Sequence, residues 1–73
     1  MPPRLRDIAR ALRAFGIRLE KPKKGSHWRF VAQDGRFYTV PAHNADRTEI
    51  PDVYIRGLCA AFALEEREVR RLM

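Results

Sequence analysis

The chain has 73 residues, of which 45% are hydrophobic, and a formal net charge of +6. A chain of this length buries only about 60% of the surface that it exposes when unfolded, so we expect residues 1–73 to form one domain around one small core. No apolar run approaches the roughly 18 residues of a membrane span, and no apolar leader follows Met1, so we expect a cytoplasmic protein that does not enter the membrane.

The positive charge lies in the N-terminal part of the chain. Residues 1–43 contain ten lysines and arginines against three carboxylates, whereas residues 44–73 contain five against six. A surplus of this kind favours a polyanion, such as a nucleic acid, as the partner of the N-terminal part.

The first predicted element is an amphipathic helix over about residues 4–15. Its apolar side chains recur at helical spacing, and four arginines point away from them. The apolar positions are Leu5, Ile8, Ala9, Leu12 and Phe15. Pro2 and Pro3 precede the helix, and Gly16 can take the left-handed conformation that ends it.

A short edge strand is predicted next, because residues 17–20 alternate apolar and polar side chains. The following segment, from Lys21 to Gly25, contains three lysines, and its proline and glycine exclude a regular ladder. We therefore expect an exposed cationic loop after the first strand.

Two further strands, over residues 26–32 and 36–40, flank the hairpin signal Asp34-Gly35. A two-residue turn would pair Phe30 with Thr39, whereas a bulged three-residue turn, which we favour, would pair Phe30 with Val40. The favoured turn leaves four apolar side chains on one face of the sheet. They are Trp28, Phe30, Tyr38 and Val40.

Because side chains alternate along a strand, His27 and Arg29 lie on the face opposite Trp28 and Phe30. Four aromatic side chains in this region could either form the core or stack against bases, and we favour the core. They are Trp28, Phe30, Phe37 and Tyr38. If the aromatic residues are core, His27 faces solvent.

After a loop at residues 41–46, Pro51-Asp52 begins a second helix that should end near Phe62. Its inward side chains are predicted to be Tyr54, Ile55, Leu58, Ala61 and Phe62, and the only cysteine, Cys59, is expected to be a buried thiol without a disulfide. Residues 64–72 form either a separate short helix or a continuation of this one.

The predicted class is therefore α+β with the order α-β-β-β-α and a possible short third helix at the C-terminus. We expect a three-stranded antiparallel sheet with both main helices on one face, which leaves the other face for function.

The residues around His27 suit phosphodiester cleavage. Gly25 lets the backbone approach a ligand, Ser26 offers a hydroxyl, and the lysines can hold a phosphate and stabilise developing negative charge. RNA supplies its own nucleophile, the 2′-OH, so a ribonuclease needs a base and a cation. The residues expected to contact RNA are Lys21, Lys23, Lys24, Gly25, Ser26 and Arg29.

Other chemistries find less support in the sequence. The histidines, the cysteine and the carboxylates form no cluster with metal-ligand spacing, so we expect no metal and no other cofactor. No carboxylate is placed to orient a histidine against Ser26 or Cys59, which argues against a covalent mechanism. His43, at the end of the strand that pairs with that of His27, is either a general acid or a structural residue, and we favour the structural role because Pro41 suggests a fixed turn.

Two motifs in this chain resemble a known family. Gly25-Ser26-His27 leading into a strand, followed by Val40-Pro41-Ala42-His43, looks like HicA, the toxin of HicA/HicB toxin-antitoxin pairs. The first helix and the helix after Pro51 match the family's layout as well, so the resemblance covers nearly the whole chain. In place of the Gly-Thr pair with which the family's last helix usually begins, this chain has Pro51-Asp52.

The resemblance implies a fold like that of double-stranded-RNA-binding domains and an mRNA interferase activity that needs no metal. It also implies that the histidine of the Gly-Ser-His motif, His27, is the catalytic residue and that a HicB-like antitoxin neutralises the protein. The alternative is a non-catalytic RNA-binding module that uses the same basic face.

Overall fold

The computed structural model describes all 73 residues as a three-stranded antiparallel sheet packed against three α-helices. In chain order the elements are α1 (Leu5–Arg13), β1 (Arg18–Glu20), β2 (His27–Val31), β3 (Phe37–Pro41), a 3₁₀ turn (Ala45–Arg47), α2 (Asp52–Ala61) and α3 (Glu66–Arg71). The α-β-β-β-α order and the short third helix are confirmed. None of the helices has the length and apolar character needed to span a bilayer.

The first helix, α1, ends two residues earlier than predicted. Gly16 adopts the left-handed conformation (φ +74°), and the N–H of Ile17 donates to the carbonyl of Leu12 at 3.2 Å, as expected for a helix that ends in a glycine. Phe15 was expected among the core residues, but it is 39% exposed, whereas Ile17 is only 4% exposed. Helical periodicity no longer directs Phe15 inward, because it lies in the turn beyond the helix.

The β2–β3 hairpin has the favoured three-residue turn but a different register. Phe30 pairs with Tyr38, not with Val40 or Thr39. The N–H of Ala32 donates to the carbonyl of Arg36 at 2.8 Å, which places these two residues opposite each other and fixes every pair further along the strands. The expected register was wrong by two residues, and a shift of two keeps each side chain on its face.

α1 and α2 cover one face of the sheet, where the core lies, and α3 packs against these two helices. Leu19, Phe30 and Val40 point to this side from β1, β2 and β3. The helices contribute buried residues to the same cluster, namely Leu5, Ile8, Ala11, Leu12, Ile55, Leu58, Cys59 and Val69. Burial raises the pKa of the Cys59 thiol, so it stays protonated and unreactive at neutral pH, as expected of a core cysteine.

Candidate functional site

The face of the sheet opposite the helices is open, and we call it the outer face. The strand register places eight side chains on it: Arg18, Glu20, His27, Arg29, Val31, Phe37, Thr39 and Pro41. His27 and Arg29 are both exposed, as the alternation of side chains predicted. The candidate catalytic residue therefore lies on the face of the sheet that the helices do not cover.

His27 is the first residue of β2, directly after the cationic loop. Its strand partner is Pro41, and the N–H of Ala42 donates to the carbonyl of Ser26 at 2.7 Å. This hydrogen bond fixes the backbone of the residue before His27 against that of the residue after Pro41. The imidazole makes no hydrogen bond and no ion pair. Both ring nitrogens of His27 are therefore free to exchange a proton with a ligand.

Gly25 gives the chain its turn into β2. It adopts φ +89°, a conformation that side-chain-bearing residues rarely take, and an added Cβ would have no atom within 4 Å. The space beside Gly25 is open, so a ligand can approach the backbone closely at this point. The Ser26 hydroxyl, next to it, makes no hydrogen bond within the protein and is free to bind a ligand.

The cationic loop presents positive charge that no carboxylate neutralises. Lys21, Lys23 and Lys24 are all exposed, and none of them takes part in an ion pair. All three lie within six residues of His27 in the chain. The loop therefore supplies unpaired ammonium groups next to the histidine.

Arg29, in contrast, is already paired. Its guanidinium lies 3.0 Å from Glu20, which also binds Arg18 at 2.8 Å, and 4.9 Å from the centroid of the Phe37 ring. The hydrogen bond from Arg29, with a further one from Arg18, holds the pKa of Glu20 below its usual range. The Arg29 side chain is therefore kept over the aromatic ring, and its charge is partly compensated by Glu20.

The aromatic residues divide between the core and the outer face. Phe30 is fully buried, and Trp28 and Tyr38 are half-buried against the core, as favoured from the sequence. Phe37 is 56% exposed on the outer face. Phe37 was expected among the core aromatics, and that prediction was wrong. Phe37 and Tyr38 are consecutive in β3, so the alternation of side chains puts them on opposite faces, a signal that could have separated them.

His43 lies just beyond the end of β3, whose pairing with β2 brings this loop back to His27, as predicted. Its imidazole is exposed and makes no hydrogen bond. Thr48 holds the loop instead: its hydroxyl accepts the N–H of Asn44 at 2.8 Å and donates to the carbonyl of Ala45 at 2.8 Å. The structural role that we favoured for His43 thus has no side-chain contact to support it.

No three histidine, cysteine, aspartate or glutamate side chains lie close enough together to share a metal ion. The charged side chains of the outer face and of the cationic loop are cations, apart from Glu20, which is bound to two arginines. The site is therefore equipped for an anionic ligand and for proton transfer.

Two comparisons with known proteins found no relative of this chain. No protein-family model matches this chain, and no curated protein matches it. The similarity to HicA thus rests on the two short motifs and the order of the elements.

Proposed function

We propose that this protein is an endoribonuclease that binds RNA across the cationic loop and the outer face and cleaves it with His27 as the general base. The observation that carries the proposal is the exposed His27 imidazole, with both nitrogens unbonded, directly after a loop whose three lysines have no carboxylate partner. Phosphate binds to the lysines, and the adjacent imidazole is left free for chemistry.

The reaction uses the nucleophile of the substrate itself. His27 accepts the proton of a 2′-OH as the 2′-oxygen forms a bond to the adjacent phosphorus, and the bond from phosphorus to the 5′-oxygen breaks. The leaving oxygen takes a proton and becomes a 5′-OH, while the other product ends in a 2′,3′-cyclic phosphate. The loop lysines stabilise the extra negative charge of the transition state, and no metal is required.

His43 is the second group that can transfer a proton. It follows the strand partner of His27 by two residues and makes no hydrogen bond within the protein. A protonated His43 is suited to donate to the leaving 5′-oxygen, and water is the donor if His43 lies out of reach of it.

The similarity to HicA supports a role as the toxin of a toxin-antitoxin pair that acts on mRNA in the cytoplasm. Its partner would then be a HicB-like antitoxin. An acidic antitoxin surface over the cationic loop would cover His27, and its association would slow as the salt concentration rises.

A non-catalytic RNA-binding module is the second candidate. The pair of Arg29 and exposed Phe37 favours it, because an aromatic ring with a guanidinium above it is a platform on which bases stack. Such a module needs His27 only as one contact among several.

Cleavage of an end-labelled RNA in the presence of EDTA separates the two candidates. The enzyme should yield fragments with 2′,3′-cyclic phosphate and 5′-OH ends, and a substrate carrying 2′-deoxyribose at the cleaved position should stay intact. His27→Ala should bind the RNA without cleaving it. Binding without cleavage by the wild type would identify the module, and equal cleavage by His27→Ala would remove His27 from the mechanism.

A further inference from the structure

A second basic site lies on the helix side of the sheet, away from His27. It is a groove of about 540 Å³ between α1 and the edge strand β1. Four arginines border it: Arg6, Arg10 and Arg13 of α1, and Arg18 of β1, whose side chain turns to the outer face. Its floor is apolar and consists of Ala9, Leu19 and Trp28, and one carboxylate, Asp46, borders it.

The groove exists because β1 is short. β1 ends at Glu20, which pairs with Arg29. Trp28, the residue before Arg29 in β2, therefore pairs with Val40 of β3 but has no partner in β1. Pro22 would lie opposite His27 if this register continued, and it cannot donate to a ladder, so β1 does not extend to the start of β2. The half-buried indole therefore packs against the core with one side and borders the groove with the other.

Two of the four arginines are available to a ligand. The guanidinium groups of Arg6 and Arg13 make no ion pair and no hydrogen bond. The two residues lie seven positions apart on one side of α1, about 10 Å along the helix. Arg10, in contrast, donates to Asp7 and to the carbonyl of Met73, and Arg18 donates to Glu20. The groove thus combines unpaired guanidinium groups with an aromatic surface.

We infer that this groove binds one nucleotide of a single-stranded RNA. Its base would lie against Trp28 and Leu19, and its phosphates would accept hydrogen bonds from Arg6 and Arg13. A guanidinium fits a phosphate with two parallel hydrogen bonds, and an indole offers a base a stacking surface. A base that is paired in a duplex cannot enter, so the groove selects unpaired RNA.

The position of the groove favours RNA over an acidic peptide, an argument that rests on the proposed function. His27 and Trp28 are consecutive in β2 and point to opposite faces of the sheet. The cationic loop connects the end of β1 to this start of β2. One continuous polyanion can therefore contact the groove, the loop and His27. The groove would then hold a nucleotide of the same strand that His27 cleaves.

Trp28 is the only tryptophan, so its fluorescence reports directly on the groove. The experiment uses the full chain carrying His27→Ala, which leaves bound RNA intact, and titrates it with a short single-stranded RNA, the same RNA as a duplex, and an oligoglutamate peptide of equal charge. Single-stranded RNA should quench Trp28 at concentrations at least about tenfold below those of the other two probes.

The matched variants separate this site from general charge attraction. In the double variant Arg6→Gln/Arg13→Gln the half-saturating RNA concentration should rise about tenfold, because two charge-assisted contacts are lost. The control Arg56→Gln/Arg67→Gln removes the same charge from two exposed arginines of α2 and α3 that also lack ion pairs, and it should shift that concentration about twofold.

Three results would overturn the inference. They are equal shifts in the two double variants, unchanged Trp28 fluorescence at RNA concentrations that saturate binding by polarisation of a labelled RNA, and quenching by oligoglutamate at lower concentrations than RNA. The last result would assign the groove to a protein partner. A wild type that binds RNA without cleaving it would leave these binding measurements unaffected, so the two proposals fail separately.

Discussion

The cationic loop and the C-terminal helix α3 both carry several cations in a short segment, but they use them differently. In α3, Arg70 binds Glu66 at 2.7 Å and Asp52 at 3.1 Å, and Arg71 binds Glu68 at 2.8 Å. The lysines of the loop bind no carboxylate. A cation that is paired within the fold cannot give its full charge to a ligand. We therefore expect the loop, with three unpaired lysines, to attract a polyanion more strongly than α3, where Arg67 alone is unpaired.

The two regions differ in their contribution to the core as well. α3 contributes Val69, which is fully buried, to the core, whereas every lysine of the loop is exposed. Substitutions in α3 should therefore change stability, and substitutions in the loop and at His27 should change RNA binding or cleavage.

The largest expected effect is that of His27→Ala on cleavage. Removing the proposed general base should lower the rate by roughly 100-fold to 10,000-fold, the usual contribution of acid-base catalysis. The midpoint of thermal unfolding should not move, because the side chain is exposed and makes no hydrogen bond. Single-turnover cleavage and circular dichroism on the same preparation measure the two quantities.

Arg70→Ala, in α3, is the control for His27→Ala. It should lower the free energy of unfolding by up to about 1 kcal/mol, since its ion pairs are partly exposed, and it should leave the cleavage rate unchanged. A stable Arg70→Ala variant with slow cleavage would contradict the division of roles between the two regions.

Gly57→Ala should have the next largest effect, on stability alone. A Cβ at this position of α2 would overlap the Tyr38 hydroxyl and lie 2.8 Å from its Cζ, so the helix could no longer approach the sheet as closely. Overpacking of this kind costs about 1–3 kcal/mol. Urea unfolding should detect the loss, and Tyr38→Phe in the same chain should restore part of it. If Tyr38→Phe restores nothing, the hydroxyl is not the cause.

Substitutions in the cationic loop should change the salt dependence of RNA binding. The triple variant Lys21→Gln/Lys23→Gln/Lys24→Gln should reduce the slope of log affinity against log salt concentration by about 2, since each phosphate contact on a single strand contributes roughly 0.7. Unfolding should be unaffected. Arg67→Gln, an exposed and unpaired cation of α3, is the control and should leave the slope nearly unchanged; an unaltered slope in the triple variant would place the RNA elsewhere.

The order of the elements and the face of each strand residue could be predicted from the sequence, because both follow from local periodicity. The end of α1, the exposure of Phe15 and the Phe30–Tyr38 pairing could not. Each depends on where one hydrogen bond forms, such as that from Ala32 to Arg36, and a shift of two residues leaves the hydrophobic pattern unchanged.

The candidate site was predictable to a similar extent. His27, Arg29 and the loop lysines lie where the alternation and the Pro and Gly signals put them. The Glu20 contact that compensates Arg29 depends on the pairing of β1 with β2, which no local pattern specifies. The same holds for the arginine groove, whose floor and walls come from segments that are distant in sequence.

The smallest effects on stability and RNA affinity are expected for two carboxylates that are paired with arginines, Glu20 of the outer face and Glu68 of α3. Hydrogen bonds from arginines hold the pKa of both below the usual value of about 4.5. The unfolded chain therefore binds more protons than the folded one just below that pH, so each pair stabilises the fold above about pH 4.5. This contribution disappears as the pH falls through the pKa of the folded state.

Glu20→Gln and Glu68→Gln should thus each weaken the loss of stability on acidification below about pH 4.5, which urea unfolding at a series of pH values measures. They should differ in RNA binding at neutral pH. Glu20→Gln releases the charge of Arg29 beside His27, and it should raise RNA affinity by about twofold to fivefold, the effect of one exposed charge pair. Glu68→Gln removes an equal charge at a distance from the outer face and should raise it less. Equal gains in affinity would mean that RNA responds to the net charge of the protein, and a gain from Glu20→Gln alone would mean that RNA contacts one of the two partners of Glu20, Arg29 or Arg18.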